Sequence, residues 1–236
     1  MKKKYTNNFI ESIQSSFDIN PLMGSEFGLS DYFLLDLSPN NDQLPKIDSP
    51  EEMTDFLKRL RKDNTCHLAY GGYMEHRSLY QSPLFLQNGP IRNIHLAIDV
   101  WAHAGTPIYA PILGTVHSIT YNSRDLDYGY TLILSHRHSG SVFYTLYGHL
   151  GKSIMHILKK GIDVKSGQLI GYLGEQHENG GWSPHVHCQI IIDLEGNLGD
   201  YPGVCAMKDR PQYVKNCPDP TLFILPKSSG KLEMIG

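Results

Sequence analysis

The sequence predicts a mainly β chain, a compact antiparallel β-sandwich or barrel with a small α/β extension at its N-terminus. Three observations carry this. From about residue 66, short β-prone runs are punctuated by turn residues, drawn from 22 Gly and 14 Pro in the chain. Two stretches echo one another: Gly105-Thr106-Pro107-Ile108 leading to Gly114-Thr115-Val116, and Gly161-Ile162-Asp163-Val164 leading to Gly167-Gln168-Leu169-Ile170-Gly171. Before residue 66 there is one well-signalled helix start and one short apolar run.

Taken in order, residues 1 to about 20 read as a loosely anchored leader with a short amphipathic helix. Tyr32-Phe33-Leu34-Leu35-Asp36-Leu37 is a short strand, followed by turn chemistry at Ser38-Pro39-Asn40-Asn41-Asp42. Ser49 can cap a helix, Pro50 suits its first position, and Glu51 and Glu52 face the positive end of the dipole. Met53, Phe56, Leu57 and Leu60 then share one face, so a helix is expected over 50–62. Strands are expected at 106–109, 114–121, 131–135, 142–146, 168–173 and 186–194, with a short helix within 153–160. Three units follow: an extension over 1–65, a β domain over 66–199, and an irregular tail over 200–236 that packs on the domain.

The chain of 236 residues is long enough to bury a sizeable core. With 21 Lys plus Arg against 24 Asp plus Glu, its formal charge of −3 gives no electrostatic case for binding nucleic acid or an anionic membrane surface. A hydrophobic fraction of 40% excludes a disordered chain. No apolar run approaches the roughly 18 residues that a membrane span needs. Three lysines follow Met1, but Phe9-Ile10-Glu11-Ser12-Ile13 supplies no continuous apolar segment of a secretory signal. Cys66, Cys188, Cys205 and Cys217 form no CxxC pair and read as reduced, partly buried thiols. The expected location is therefore the cytoplasm, with non-classical export left open.

Among 12 histidines, most carry no spacing signal. Two pairs do. In His185-Val186-His187, alternate side chains of a strand point into one volume, while Val186 and Cys188 face the other way. In His95-Leu96-Ala97-Ile98-Asp99, a strand likewise puts 95, 97 and 99 on one face, with small Ala97 leaving that face open. Imidazoles and a carboxylate converging on one point are what zinc accepts, with a fourth position left for water. The helical HExxH arrangement is absent. Between the pairs, Phe143-Tyr144-Thr145-Leu146-Tyr147-Gly148-His149-Leu150 is an aromatic β run, read either as a strand end with an exposed His149 or as a polar side chain delivered to the rim of a cleft.

These features, in this order, resemble the M23 peptidases, the lysostaphin- and LytM-like zinc endopeptidases. The family's H-x-G-x-D stands here as His95 to Asp99, and its G-P-H-L-H-F-E-like run as Ser183-Pro184-His185-Val186-His187-Cys188-Gln189. The resemblance covers about 90–195 and includes Gly105-Thr106-Pro107-Ile108-Tyr109-Ala110-Pro111 and Val164-Lys165-Ser166-Gly167-Gln168. It implies a duplicated β motif in which His95, Asp99 and His187 hold Zn2+. His149 and His185 would flank the water and the scissile carbonyl, one helping to deprotonate the water and the other stabilising the oxyanion. Gln189 reads more as an ordinary strand residue than as a support for His187. Ala97 stands where the family has Gly and is expected to crowd the cleft with a methyl group; Cys188 replaces an aromatic residue. The tyrosine that some members carry before the first motif has no clear counterpart: Leu86 stands nine residues before His95, and Tyr73 and Tyr80 are distant candidates. The flanks, from Phe33-Leu34-Leu35-Asp36-Leu37-Ser38 through Leu79-Tyr80-Gln81-Ser82-Pro83-Leu84-Phe85 to Asp200-Tyr201-Pro202-Gly203-Val204, are similar to a branch also found fused to aminotransferase- and kinase-like domains.

The expected function is a zinc-dependent peptidase or amidase acting on peptides, peptidoglycan-derived muropeptides among them. A non-catalytic regulatory module is the alternative, and the presence of all five side chains weighs against it. A phosphocarrier-like domain is a third reading, disfavoured by an aspartate beside the histidines.

Overall fold

A computed structural model describes residues 3–47, 49–77 and 90–224 of the chain. Twelve strands are described: β1 (Tyr32–Leu34), β2 (Leu68–Gly71), β3 (Arg92–His95), β4 (Ile98–Trp101), β5 (Pro107–Tyr109), β6 (Gly114–Asn122), β7 (Gly129–His138), β8 (Ser141–Leu150), β9 (Asp163–Val164), β10 (Leu169–Tyr172), β11 (His185–Ile191) and β12 (Val204–Ala206). Four α-helices accompany them: α1 (Lys3–Ser16), α2 (Pro50–Asp63), α3 (Ile154–Ile157) and α4 (Arg210–Asn216). The fold is mainly β.

Eight strands form one sheet in the order β1-β2-β4-β11-β8-β7-β6-β9, and β10-β5 and β12-β3 form two smaller pairs. The sequence leads one to expect an antiparallel sandwich or barrel; the large sheet is antiparallel but for one parallel pair. β1 runs parallel to β2, pairing Tyr32 with Leu68, and every other described pair is antiparallel. The connection from β1 to β2 contains α2, and a crossover helix is what a parallel pair requires.

The internal echo has a structural counterpart. β5 of the first copy pairs with β10 of the second, and Gly114 and Thr115 of the first pair with Val164 and Asp163 of the second. The related segments thus exchange partners crosswise.

The expected loose leader is instead anchored. Ile13 is fully buried, and Phe9 packs edge-on against Phe143 of β8 at 5.3 Å. Burying a side chain the size of Ile contributes about 1.5–3 kcal/mol, enough to hold a short helix onto a sheet. α2 forms where its capping signals lie, Ser49 Oγ accepting from the Glu52 amide at 3.2 Å. Its Met53 and Leu57 bury against Leu35, Leu37, Ala69 and Trp101. The tail is also more regular than expected. β12 pairs with β3 across Val204 and His95, and α4 follows it. The sequence joins that the expected units would make at 65/66 and 199/200 are therefore bridged by strand pairing. All four cysteines are free and buried. Among the described residues, no helix is long and apolar enough to cross a membrane. The flank at 79–85 lies outside the described residues.

One buried histidine away from the cleft ties stability to pH. His136 of β7 stacks on Phe143, donates from Nδ1 to the Leu113 carbonyl at 2.7 Å, and meets Thr145 Oγ1 at 2.8 Å. Gly114 lets the ring lie this close, since a Cβ there would meet the imidazole at 2.7 Å. Burial pushes the ring down to about 4, against the pull of the Leu113 bond. The unfolded chain takes up this proton near 6.5 while the folded chain resists until about 4. The stabilisation is therefore complete above 6.5, and up to about 3 kcal/mol is lost as pH falls through that window. Thermal melts from pH 8 to pH 4 should show His136→Gln losing stability less steeply than the wild type. The difference should be on the order of 10 °C across the window; parallel curves would rule His136 out as the cause.

Candidate metal centre

The sequence treats His95 to Asp99 as one strand. The chain instead bends at Leu96-Ala97, so His95 ends β3 and Asp99 lies in β4 of the large sheet. Ala97 is fully buried and is not among the residues lining the cleft, so its methyl does not narrow it. The bend still brings the two polar groups together, with His95 Nε2 3.3 Å from Asp99 Oδ1. The third member comes from sheet register. β11 runs antiparallel to β4 with His187 directly opposite Asp99 and His185 opposite Trp101. His187 Nδ1 lies 3.3 Å from Asp99 Oδ1 and 3.0 Å from His95 Nε2. Val186 and Cys188 point into the main apolar core on the other side.

The protonation of these rings follows from their outer contacts. His95 Nδ1 lies 2.9 Å from the Gly72 carbonyl, which can only accept. That nitrogen therefore carries the hydrogen, and Nε2 presents a lone pair. Gln189 donates from Nε2 to the Pro202 carbonyl at 3.2 Å, so its Oε1 is the atom that accepts from His187 Nε2 at 3.0 Å. Tyr128 donates its hydroxyl to the Tyr201 carbonyl at 3.1 Å and accepts from the same imidazole N–H at 3.2 Å. His187 Nδ1 thus also presents a lone pair. Gln189, expected to be an ordinary strand residue, is fully buried and orients this ring. Gly203 makes room for Tyr128, since a Cβ there would clash with the tyrosine hydroxyl.

Three acceptors therefore face one point with no hydrogen among them. Asp99 Oδ1 is buried and has no hydrogen-bond donor. Its other oxygen accepts from Arg77 Nη1 at 2.6 Å. Two imidazoles and a carboxylate in this state are a donor set suited to a divalent cation, and to zinc among the common ions. The electrostatics agree. Burial acts to raise the Asp99 carboxyl, but His95, Arg77 and His185 outweigh it and hold it well below the usual carboxylate range. Burial, with Arg77 beside it, lowers His95 to about 4 despite Asp99, which keeps its nitrogen free.

His149 and His185 stand next to this cluster with ring centroids 4.2 Å apart. His149 is the last residue but one of β8, beside Gly148, the partner of His187 in register. Its φ of 64° is unusual for a non-glycine residue. The conformation is held by its amide on the Tyr128 carbonyl at 2.8 Å and by Gly174 donating to its own carbonyl at 3.0 Å. His149 Nδ1 donates to the Asn179 carbonyl at 2.8 Å, and His185 Nδ1 to the Ser183 carbonyl at 2.7 Å. Both Nε2 atoms are left as proton acceptors. His185 Nε2 lies 4.0 Å from Asp99 Oδ1. Burial lowers both rings, His149 further because His185 and His187 are near it.

All five histidine and aspartate positions line one cleft of about 300 Å³. Its other walls include Trp101, Tyr128 and Trp182, together with Leu37, Ile47 and Met53 of the extension. Trp101 stacks on His185 at 5.7 Å, and Trp182 meets His149 edge-on at 6.1 Å. Trp101 was accessible to sequence reasoning, standing two residues after Asp99 on the same strand face; Arg77, Tyr128 and Asn179 give no spacing signal. Tyr73 donates to the Cys217 carbonyl at 2.8 Å and is not among the cleft-lining residues. Tyr80 and Leu86 lie outside the described residues.

Comparison with known proteins points to the same stretch of chain. Residues 93–197 match the family model described as Peptidase family M23. A protein of Haemophilus influenzae described as an uncharacterized metalloprotease is 33% identical over 99 residues, which is 42% of this chain and 19% of that one. The chain thus spans about a fifth of that relative's length. Among solved structures, a zinc-containing peptidase from Vibrio cholerae is 27% identical, covering 50% of this chain and 31% of that one, with a TM-score of 0.36. The catalytic domain of lysostaphin from Staphylococcus simulans is 21% identical, covering 51% and 80%, with a TM-score of 0.35. The segment that matches Peptidase family M23 is thus the segment that carries His95, Asp99, His149, His185 and His187.

Proposed function

We propose that this chain is a zinc-dependent metallopeptidase or amidase that hydrolyses peptide amide bonds, with peptidoglycan-derived muropeptides among its substrates. The observation that carries the reading is the buried, donorless Asp99 Oδ1 facing two imidazole lone pairs. His95, Asp99 and His187 would hold the ion. When bound, it supplies Lewis-acid polarisation of a carbonyl oxygen and acidifies a water molecule. The match to Peptidase family M23 and the description of the Haemophilus influenzae relative support the hydrolytic reading.

The chain's own residues account for the proton traffic. His149 Nε2 and His185 Nε2 are positioned to accept a proton from the attacking water and to pass it to the leaving amine. With rings 4.2 Å apart, the pair carries one added proton at a time, because two adjacent positive charges would repel. One imidazolium then supplies positive charge beside the oxyanion while the other stays neutral. The Asn179 and Ser183 carbonyls hold both rings in the acceptor tautomer. The aromatic walls of Trp101 and Trp182 limit the water around the reacting centre. A cleft of about 300 Å³ suits a short peptide segment.

The purified protein should carry about one zinc per chain. His187→Ala should abolish retention of the ion by elemental analysis. His149→Ala should retain it and lose turnover by about 10²–10⁴-fold on a panel of short peptides and muropeptides. Chelation should silence the wild type and zinc should restore it. Protein that takes up no metal after reconstitution would sink the reading. Metal-loaded protein that cleaves nothing on the panel would favour a non-catalytic binding module.

A further inference from the structure

Arg77 is 4% exposed and carries a permanent charge. Withdrawing a guanidinium from water costs several kcal/mol and requires matched partners. Its partners here connect two regions of the chain. Nη1 donates to Asp99 Oδ2 at 2.6 Å, and Nε donates to Glu75 Oε2 at 2.6 Å. Glu75 Oε1 in turn accepts the Leu37 amide at 2.9 Å. The guanidinium carbon lies 5.7 Å from the Trp101 ring centroid. Asp99 and Trp101 occupy the same face of β4, so Arg77 contacts two successive residues of that face. Gly72 has a φ of 105° and no Cβ, and a Cβ there would clash with Arg77 Nη2.

We propose that Arg77 is a positioning residue of the metal site: it occupies Asp99 Oδ2, so that the carboxylate meets the ion through Oδ1 alone. This rests on the reading of His95, Asp99 and His187 as the metal ligands. A carboxylate with both oxygens free can chelate, and chelation would consume the coordination position that the substrate water needs. Arg77 prevents this by bonding one oxygen in a fixed fork geometry. Its own charge would oppose a dication if uncompensated. Glu75 cancels it, so the Glu75–Arg77–Asp99 chain keeps one net negative charge for the ion. The Leu37 amide fixes Glu75, which makes the N-terminal extension part of the support for a metal ligand.

The test is cobalt substitution of the full chain, read by visible absorption. Four-coordinate Co(II) absorbs several-fold more strongly than five-coordinate Co(II). Wild type loaded with one equivalent should give the strong bands. Arg77→Met should bind one equivalent with bands several-fold weaker, as Asp99 turns to chelate. Arg77→Lys keeps a charge but cannot hold Glu75 and Asp99 together, and its spectrum should fall between. A purely structural loss would lower the melting temperature of the variants and leave their cobalt spectra unchanged. Superimposable spectra at equal cobalt content overturn the proposal while leaving the metal reading intact. If Arg77→Met does not fold, Arg77→Lys decides: an intermediate spectrum supports the role and a wild-type spectrum overturns it. A wild type that takes neither cobalt nor zinc overturns the metal reading and this inference with it.

Discussion

The site depends on how one buried carboxylate divides its two oxygens. Asp99 Oδ2 is satisfied within the protein by Arg77, and Oδ1 is not. A buried oxygen without a donor is costly, on the order of 1–3 kcal/mol for a neutral group and more for a charged one. Here the cost is compounded by two imidazole lone pairs 3.3 Å away. Folding alone gives little reason to build such a cluster, since an apolar core of similar volume is often as stable or more so. A bound cation would resolve all three deficits at once. The rest of the molecule can be read as what is needed to hold three acceptors together against their mutual repulsion.

Two kinds of structure do the holding. Strand register sets position: His187 is opposite Asp99, His185 is opposite Trp101, and Gly148, just before His149, is opposite His187. Loop carbonyls set protonation. Gly72, Asn179 and Ser183 each accept from the outer nitrogen of one imidazole, while Gln189 and Tyr128 do the same for His187. A ring in the wrong tautomer would point a hydrogen at the place where a cation would be held. The sheet therefore brings the groups together and the irregular segments decide what those groups can bind.

Legibility in the sequence follows this division. The alternation in His185-Val186-His187 is a property of any strand, so the shared direction of the two rings was readable from spacing, as were the capped helix at α2 and most strand cores. The bend at Leu96-Ala97 was not. Period two placed His95 and Asp99 on one face of one strand, whereas they meet across a break between two sheets. Nothing local in Leu96 or Ala97 marks a break, because it is fixed by β3 pairing with the distant β12. Arg77, Tyr128 and Asn179 were invisible for the same reason: each acts through a contact at least 22 residues away in sequence. The pairing of tail strand β12 and the burial of Gln189 by Pro202 and Cys217 are likewise long-range outcomes.

The extension illustrates how far such contacts change a reading. By composition it is a helix and a short strand ahead of a β domain. In the fold, β1 lengthens the large sheet through β2, which itself pairs with β4, the strand of Asp99 and Trp101. Thr54 Oγ1 bonds Ser183 Oγ at 3.0 Å, and Gln176 bonds Glu51 at 2.6 Å, so α2 is tied to the loop that leads into His185. Met53 and Leu37 reach the cleft directly, and the Leu37 amide reaches Asp99 through Glu75 and Arg77. The β1–β2 pairing, the bonds from α2 to Ser183 and Gln176, and the bond from the Leu37 amide to Glu75 all cross the join at residue 65. The family-matched segment contains the four histidines and the aspartate of the site, but one face of its cleft and the hydrogen-bond chain behind Asp99 come from outside it. The unit that can position this site is therefore larger than the segment in which its motifs are found.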